Sequence, residues 1–157
     1  MHDSVTVANR FLELAEARGD TLTPMQLLKL VYIANGWMLG LYGRQLIRDE
    51  VQAWQYGPVI PRLYNAVRRF KGNPVEGPLR ATESDNALTP AERSIIDQVY
   101  DIYGQLSGPA LSRMTHAEGT PWALTYVPGE FGIHIPPDLI EDHYARLATQ
   151  RSSGEPV

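Results

Sequence analysis

Histidines are the residues of this 157-residue chain best suited to metal binding or acid–base chemistry, and their spacing supports neither. The four of them, His2, His116, His134 and His143, form no HExxH or HxxxH pattern. The chain has no cysteine, which excludes thiolate metal ligands, disulfides and a cysteine nucleophile. We therefore expect no metal and no cofactor, and the cysteine-free composition is typical of a cytoplasmic protein.

One short pattern does match part of a catalytic motif. His116-Ala117-Glu118 fits the H-x-E half of the zinc deaminase signature, but the P-C-x-x-C half is missing. A histidine bonded to the backbone at a helix end is the simpler interpretation of His116. The alternative, an enzyme site around His116, Glu118 and Tyr126, requires these groups to converge in one pocket. Because Walker A, GxGxxG and GxSxG motifs are also missing, we expect a protein that is not an enzyme.

Basic side chains are concentrated in one segment. Residues 51–74 contain no acidic residue but include Arg62, Arg68, Arg69 and Lys71. These four form either a solvated helix face or a docking patch for an acidic partner, since arginine presents planar, bidentate donors. The docking interpretation predicts that Arg62→Glu combined with Arg69→Glu, seven residues apart on one face, weakens partner binding. The formal net charge of −4 argues against general nucleic-acid binding, although a regulator contacting RNA or DNA through this face stays open as an alternative.

The elements that must position these residues are mostly helices. Thr23-Pro24 and Thr89-Pro90-Ala91-Glu92 are helix starts, the second a capping box. After the first start, a broad apolar stripe predicts the central, most buried helix, with Trp37 inside; its members are Leu27, Leu30, Val31, Ala34, Trp37, Met38 and Leu41. Gly36 and Gly40 interrupt this helix, and we expect a neighbouring element to pack closely on them.

Further helices are predicted over residues 5–17, from residue 61 to Phe70, over 107–114 and over 138–150. Residues 43–57 favour a small hairpin, residues 75–88 a loop, and residues 119–122 a turn. The predicted fold is therefore mainly α: a compact single-domain bundle of five to six helices over residues 1–150, with at most a small β-hairpin, followed by a flexible tail at 151–157. We expect neither a signal peptide nor a membrane span.

Three segments carry a resemblance to a known family. Residues 24–34, PMQLLKLVYIA, resemble the "LQKLLYFA"-type helix of the Panacea-domain family, the SocA-like antitoxins also described as phage-associated proteins. Residues 53–64, AWQYGPVIPRLY, are similar to the family's "AWxYGPVxPxLY" segment, and residues 111–122 to its "LsxxtH…PW" segment. The signature residues, which we expect to be mostly structural, are Leu30, Tyr32, Trp54, Tyr56, Gly57, Pro58, Tyr64, His116, Pro121 and Trp122.

The resemblance implies an antitoxin that neutralises a cognate protein toxin encoded nearby. In one branch of the family, the member acts as an adaptor that presents its toxin to a cytoplasmic ATP-dependent protease; in others, binding alone neutralises the toxin. The resemblance does not imply an interface. The partner-binding residues predicted here remain the basic ones, Arg62, Arg68, Arg69 and Lys71.

Overall fold

The helix that begins after Thr23 lies at the centre of the structure, a computed structural model that describes residues 1–152. Its neighbours come from both ends of the chain. Residues 1–152 form seven α-helices, namely α1 (Ser4–Ala17), α2 (Pro24–Tyr42), α3 (Pro61–Val67), α4 (Pro90–Tyr103), α5 (Gly108–Thr115), α6 (Pro121–Thr125) and α7 (Pro137–Ser152). A single 3-10 turn, Arg68–Phe70, continues α3. The predicted mainly α fold is confirmed.

Side-chain caps explain where the helices begin. The Thr23 side chain accepts a hydrogen bond from the Gln26 amide, and the Gln26 side chain accepts one from the Thr23 amide. Thr89 and Glu92 repeat this reciprocal arrangement at the start of α4, as the sequence predicts. The predicted turn at residues 119–122 is wrong in one respect. Thr120 caps the Ala123 amide and opens the short helix α6.

The central position of α2 is confirmed by its packing against α7, α4, α5, α1 and α3. Trp37 is 6% exposed, and its indole N–H donates to the Tyr103 hydroxyl at 3.3 Å. Leu41 contradicts the predicted buried stripe, since it is 52% exposed. It lies in the last turn of α2 and, with Ile102, lines an open apolar groove between α2, α4 and α7.

The two glycines of α2 face α7, as expected. A Cβ atom on Gly36 would overlap the Tyr144 ring, and one on Gly40 would lie 2.7 Å from the Tyr144 backbone carbonyl carbon. Tyr144 is buried and packs edge-on against Trp37, with ring centroids 5.2 Å apart. The absent side chains therefore allow the two helices to approach each other closely.

A small antiparallel sheet lies against α2. The predicted hairpin is present as β1 (Gln52–Trp54) and β2 (Gly57–Val59), with Ala53 opposite Pro58. A third strand, β3 (Ile133–His134), pairs with the other edge of β1, so the order is β2-β1-β3. The sequence does not predict β3, because two residues are too short to show an alternating pattern.

Polar residues join the N-terminal segment to the body of the protein. The His2 amide donates to the Leu46 carbonyl, and His2 Nε2 lies 2.7 Å from Glu92 Oε1 in a buried pair. Asp3 caps α1 through the Val5 amide. No helix within residues 1–152 is long and apolar enough to cross a bilayer.

Candidate docking groove

Four segments meet around one groove, which we call the hairpin groove. It has a volume of about 470 Å³ and opens between the first turns of α2, the β1–β2 hairpin, the end of α3 with its 3-10 turn, and α5. Its lining residues are Pro24, Met25, Leu28, Lys29, Trp54, Tyr56, Val59, Tyr64, Arg68, Lys71 and Ser112. The groove thus combines the first two family-signature segments with part of the basic segment.

A buried lysine lies at the bottom of this groove. Lys29 is 4% exposed, and its Nζ donates to the Pro58 carbonyl at 2.8 Å. Burial lowers the pKa of Lys29 from 10.5 to about 8, because the charged form loses hydration. At neutral pH the ammonium is still mostly protonated. It carries three N–H donors, and the Pro58 carbonyl takes one of them.

Signature residues of the hairpin shape the surroundings of Lys29. Gly57 has φ = +123°, and a Cβ atom there would lie 2.9 Å from Lys29 Nζ. Only glycine adopts this conformation readily and leaves this space. The Ser112 hydroxyl donates to the Tyr56 carbonyl at 2.8 Å and so ties α5 to the hairpin. Gly57 and Pro58 therefore shape the space around the Lys29 ammonium.

Aromatic side chains form the wall of the hairpin groove and extend beyond it. The Trp54 ring lies 5.0 Å from the Tyr64 ring and 5.1 Å from the Phe131 ring, centroid to centroid. Trp122 supports this wall, since its indole N–H donates to the Trp54 carbonyl at 2.6 Å. Tyr56 is 72% and Phe131 is 79% exposed. Exposed aromatic rings of this kind are enriched in protein interfaces.

The four predicted docking cations have different surroundings. Arg68 and Lys71 line the hairpin groove. Arg62 donates through Nη2 to the buried carboxylate of Asp3 at 3.0 Å. Arg69 donates to the Ala66 carbonyl, and its guanidinium lies over the Phe70 ring. Arg68 and Lys71 are therefore the two that face the groove, and the Asp3 pair makes Arg62→Glu a change in stability as well as in surface charge.

The three residues of the alternative enzyme site, His116, Glu118 and Tyr126, have the surroundings of structural residues. His116 is the C-cap of α5, and its Nδ1 lies within hydrogen-bond distance of the Ser112 carbonyl, as the structural interpretation predicts. Its ring packs against Trp122, which stacks on Tyr126 with centroids 4.7 Å apart. Glu118 is exposed. In the described part of the chain, no cluster of three His, Asp or Glu side chains could hold a metal ion.

The sequence does not identify Lys29 as a residue of the groove. In the sequence it is only an interruption of the apolar run that forms α2. A lysine in the middle of a helix that is apolar on most sides is the available signal, because such a charge must find a partner inside the fold. Met25 and Phe131 carry no comparable signal, since a single apolar residue in a sequence does not reveal its exposure.

The structure is that of a mainly helical protein in which a small hairpin and the central helix build one groove. The chain belongs to the antitoxin SocA-like family: the Panacea domain of that family matches residues 27–123, from the first turn of α2 to the first turn of α6. It is 29% identical to the antitoxin SocA of Caulobacter vibrioides (strain NA1000 / CB15N), in an alignment over 157 residues covering 90% of this chain and 82% of that relative. No solved structure gives a significant match.

Proposed function

We propose that this protein is an antitoxin that neutralises a cognate protein toxin by binding it directly, and that the hairpin groove is the docking site. The relative from Caulobacter vibrioides is an antitoxin by name, and the family match includes all the lining residues of the groove except Pro24 and Met25. The observation that carries the docking proposal is the groove itself. Three aromatic rings, one of them mostly exposed, and two exposed basic side chains line one concavity made from signature segments.

The residue types around the hairpin groove support this surface as an interface. Binding energy is concentrated in a few anchors, among which tryptophan, tyrosine and arginine are over-represented. Trp54, Tyr56, Tyr64 and Arg68 supply these residue types around one concavity. Lys71 adds a second charge at the rim, and charge complementarity speeds encounter and selects the partner.

The test is growth rescue by co-expression with the product of the neighbouring gene. We expect the wild-type protein to restore growth and to co-purify with that product. The double variant Arg68→Glu with Lys71→Glu should lose rescue while keeping the unfolding midpoint, because both side chains are exposed. The matched control is Arg44→Glu with Arg93→Glu, which makes the same charge change at exposed positions outside the groove. Equal rescue by both double variants would reject the groove as the docking site, and a harmless neighbouring gene product without any co-purifying partner would reject the antitoxin role.

Neutralisation by binding and neutralisation by delivery to a protease differ in the fate of the toxin. We propose that this chain can also act as an adaptor to a cytoplasmic ATP-dependent protease, as the family resemblance implies. Toxin half-life is the measurement that separates the two. Delivery predicts that the antitoxin shortens this half-life and that deleting one ATP-dependent protease restores it. An unchanged half-life during full growth rescue would leave sequestration as the mechanism.

A further inference from the structure

The hairpin groove has an unusual combination of burial and charge. Its lining includes Lys29, a residue that is only 4% exposed, together with the exposed Arg68 and Lys71. No acidic side chain in residues 1–152 lines it. In the described part of the chain, the acceptor within hydrogen-bond distance of Lys29 Nζ is the Pro58 carbonyl. A buried ammonium normally takes a negative partner, and Lys29 has none among residues 1–152.

We infer that the hairpin groove binds a short internal segment of the partner protein in which apolar side chains are flanked by acidic ones, with one carboxylate on the Lys29 ammonium. The inference rests on the proposed function only for the source of that segment, the cognate toxin. The apolar side chains lie against Met25, Leu28 and Trp54. The remaining acidic side chains face Arg68 and Lys71.

Charge number identifies the ligand as an internal acidic segment rather than a chain terminus. The groove presents three cationic side chains, Lys29, Arg68 and Lys71. A C-terminal carboxylate supplies one negative charge and would leave two of them unmatched. A segment with two or three acidic side chains matches all three. The inner contact is the strongest, because a charge-assisted hydrogen bond gains most where water is excluded.

The pKa of Lys29 gives this contact a measurable signature. Burial holds the pKa at about 8, below its ordinary value of 10.5. A carboxylate beside the ammonium stabilises the charged form, so occupation of the groove must raise the pKa of Lys29. A segment that bound elsewhere on the protein would leave that pKa where it is.

The experiment titrates the full chain with three short peptides and follows binding by NMR. Two of the peptides have both ends blocked, and the third has a free carboxyl terminus. The first probe is acetyl-Glu-Leu-Glu-Phe-Glu-amide, the second its Gln-Leu-Gln-Phe-Gln isostere, and the third acetyl-Leu-Leu-Leu with a free carboxyl terminus. We expect the first to shift the Trp54 indole signal and raise the Lys29 pKa, and to bind at least about tenfold more tightly than either other probe.

Protein variants provide the second arm. Lys29→Met keeps a long side chain but removes the charge. It should weaken binding of the acidic peptide by about tenfold or more. Arg68→Gln should weaken binding of this peptide by about threefold, since the Arg68 side chain is exposed. The control variant is Arg44→Gln. Arg44 lies past the other end of α2, roughly 20 Å from Lys29 along the helix, so its replacement should leave binding of the acidic peptide unchanged. If Lys29→Met does not fold, the affinity of the Arg68→Gln variant and the pKa of Lys29 in the wild type still test whether the acidic peptide binds in the groove.

Three outcomes would overturn the inference: equal binding of the acidic and amide peptides, tighter binding of the peptide with a free terminus, or an unchanged Lys29 pKa on saturation. These outcomes are separate from failure of the proposed function. Growth rescue that survives Lys29→Met and Arg68→Gln rejects the groove chemistry and keeps the antitoxin role. Peptide binding without any toxin neutralisation keeps the groove chemistry and rejects that role.

Discussion

Lys29 shows how one residue can be costly for the fold while lining the proposed docking groove. Its ammonium is buried, and the lowered pKa means that the folded protein gives up this proton more readily than the unfolded chain does. Between the folded pKa of about 8 and the ordinary value of 10.5, the unfolded chain binds more protons. The free energy of unfolding therefore rises as the pH rises through this window, and the cost of burying the charge is greatest below it.

This linkage predicts a pH-dependent difference between the wild type and Lys29→Met. From about pH 7.5 to about pH 9.5, the free energy of unfolding of the wild type should rise by about 2 kcal/mol relative to the variant, since one pKa unit corresponds to about 1.4 kcal/mol. Urea unfolding at both pH values measures it. The tyrosines titrate in both proteins, so their contribution cancels. A constant difference across this range would mean that Lys29 is hydrated in solution.

Asp3 is the opposite case, a buried charge with several partners. Burial alone would raise the pKa of Asp3, but hydrogen bonds from the Val5 and Thr82 amides and from Arg62 outweigh it and lower the pKa to about 2. The stabilisation is therefore present at neutral pH and is lost as the pH falls through about 2. Arg62 is thus a structural residue as well as a surface cation.

Replacement of Arg62 should confirm this role. We expect Arg62→Gln to lower the free energy of unfolding at neutral pH by about 1 kcal/mol, because a buried carboxylate loses one donor. Arg69→Gln, an exposed neighbour, should change it by less than about 0.5 kcal/mol. Chemical denaturation of the three proteins gives both values. Equal stability of the two variants would show that water replaces the guanidinium at no cost.

The sequence predicts residue roles only where the partner is nearby in the chain. Asp3 as a cap of α1 is predictable, because the capped amide is two residues away. The pair between Asp3 and Arg62 spans 59 residues, and the contact between Lys29 and Pro58 spans 29. No local pattern encodes either of them. The same reason explains why the basic segment looked uniform in sequence although its members have different partners in the fold.

At the scale of elements, Gly36 and Gly40 allow α7 to pack very close to α2. Gly40 faces the backbone of α7, where no side chain can rotate out of the way. An added methyl group gains helix propensity of about 1 kcal/mol but forces the two helices apart, and such overpacking costs about 1–3 kcal/mol or more. The backbone contact favours the upper part of that range.

We therefore predict that Gly40→Ala lowers the free energy of unfolding by about 2 kcal/mol in spite of the better helix propensity. Gly72→Ala is the control, because nothing lies within 4 Å of a Cβ atom there. It should be neutral or slightly stabilising. Thermal unfolding of the two variants measures the contrast. Similar midpoints for both would mean that α7 shifts on α2 without cost.

Helix starts and the glycine contact could be predicted at the scale of elements because caps and periodicity are local. The helix α6 and the strand β3 could not, since five and two residues give no period to detect. The exposure of Leu41 and Ile102 also escapes prediction. The apolar spacing in α2 continues to the helix end, but Leu41 lies in the open groove between α2, α4 and α7.

For the molecule as a whole, the exposed aromatic rings near the hairpin groove offer a test that is independent of charge. Tyr56 and Phe131 are mostly exposed, so their removal should cost little stability. We predict that Tyr56→Ser with Phe131→Ser weakens binding of the co-purifying toxin by about tenfold or more, because aromatic anchors dominate interface energy. Isothermal titration calorimetry is the measurement. The control, Leu41→Ser with Ile102→Ser in the other apolar groove, should leave the affinity unchanged.

The contact between the α2 glycines and Tyr144 forms late during synthesis, because the ribosome makes α2 long before it makes α7. At roughly 5–20 residues per second, α2 leaves the ribosome roughly 5–20 s before α7 is complete. During this interval the nascent chain carries its signature helix with the Gly36 and Gly40 face uncovered. The hairpin groove, which α2 helps to form, is then firmly supported only once synthesis has passed Pro137–Ser152. A transcript cut short between the codons for Trp122 and Pro137 would yield a chain that contains every signature motif and lacks the helix that holds α2 in place.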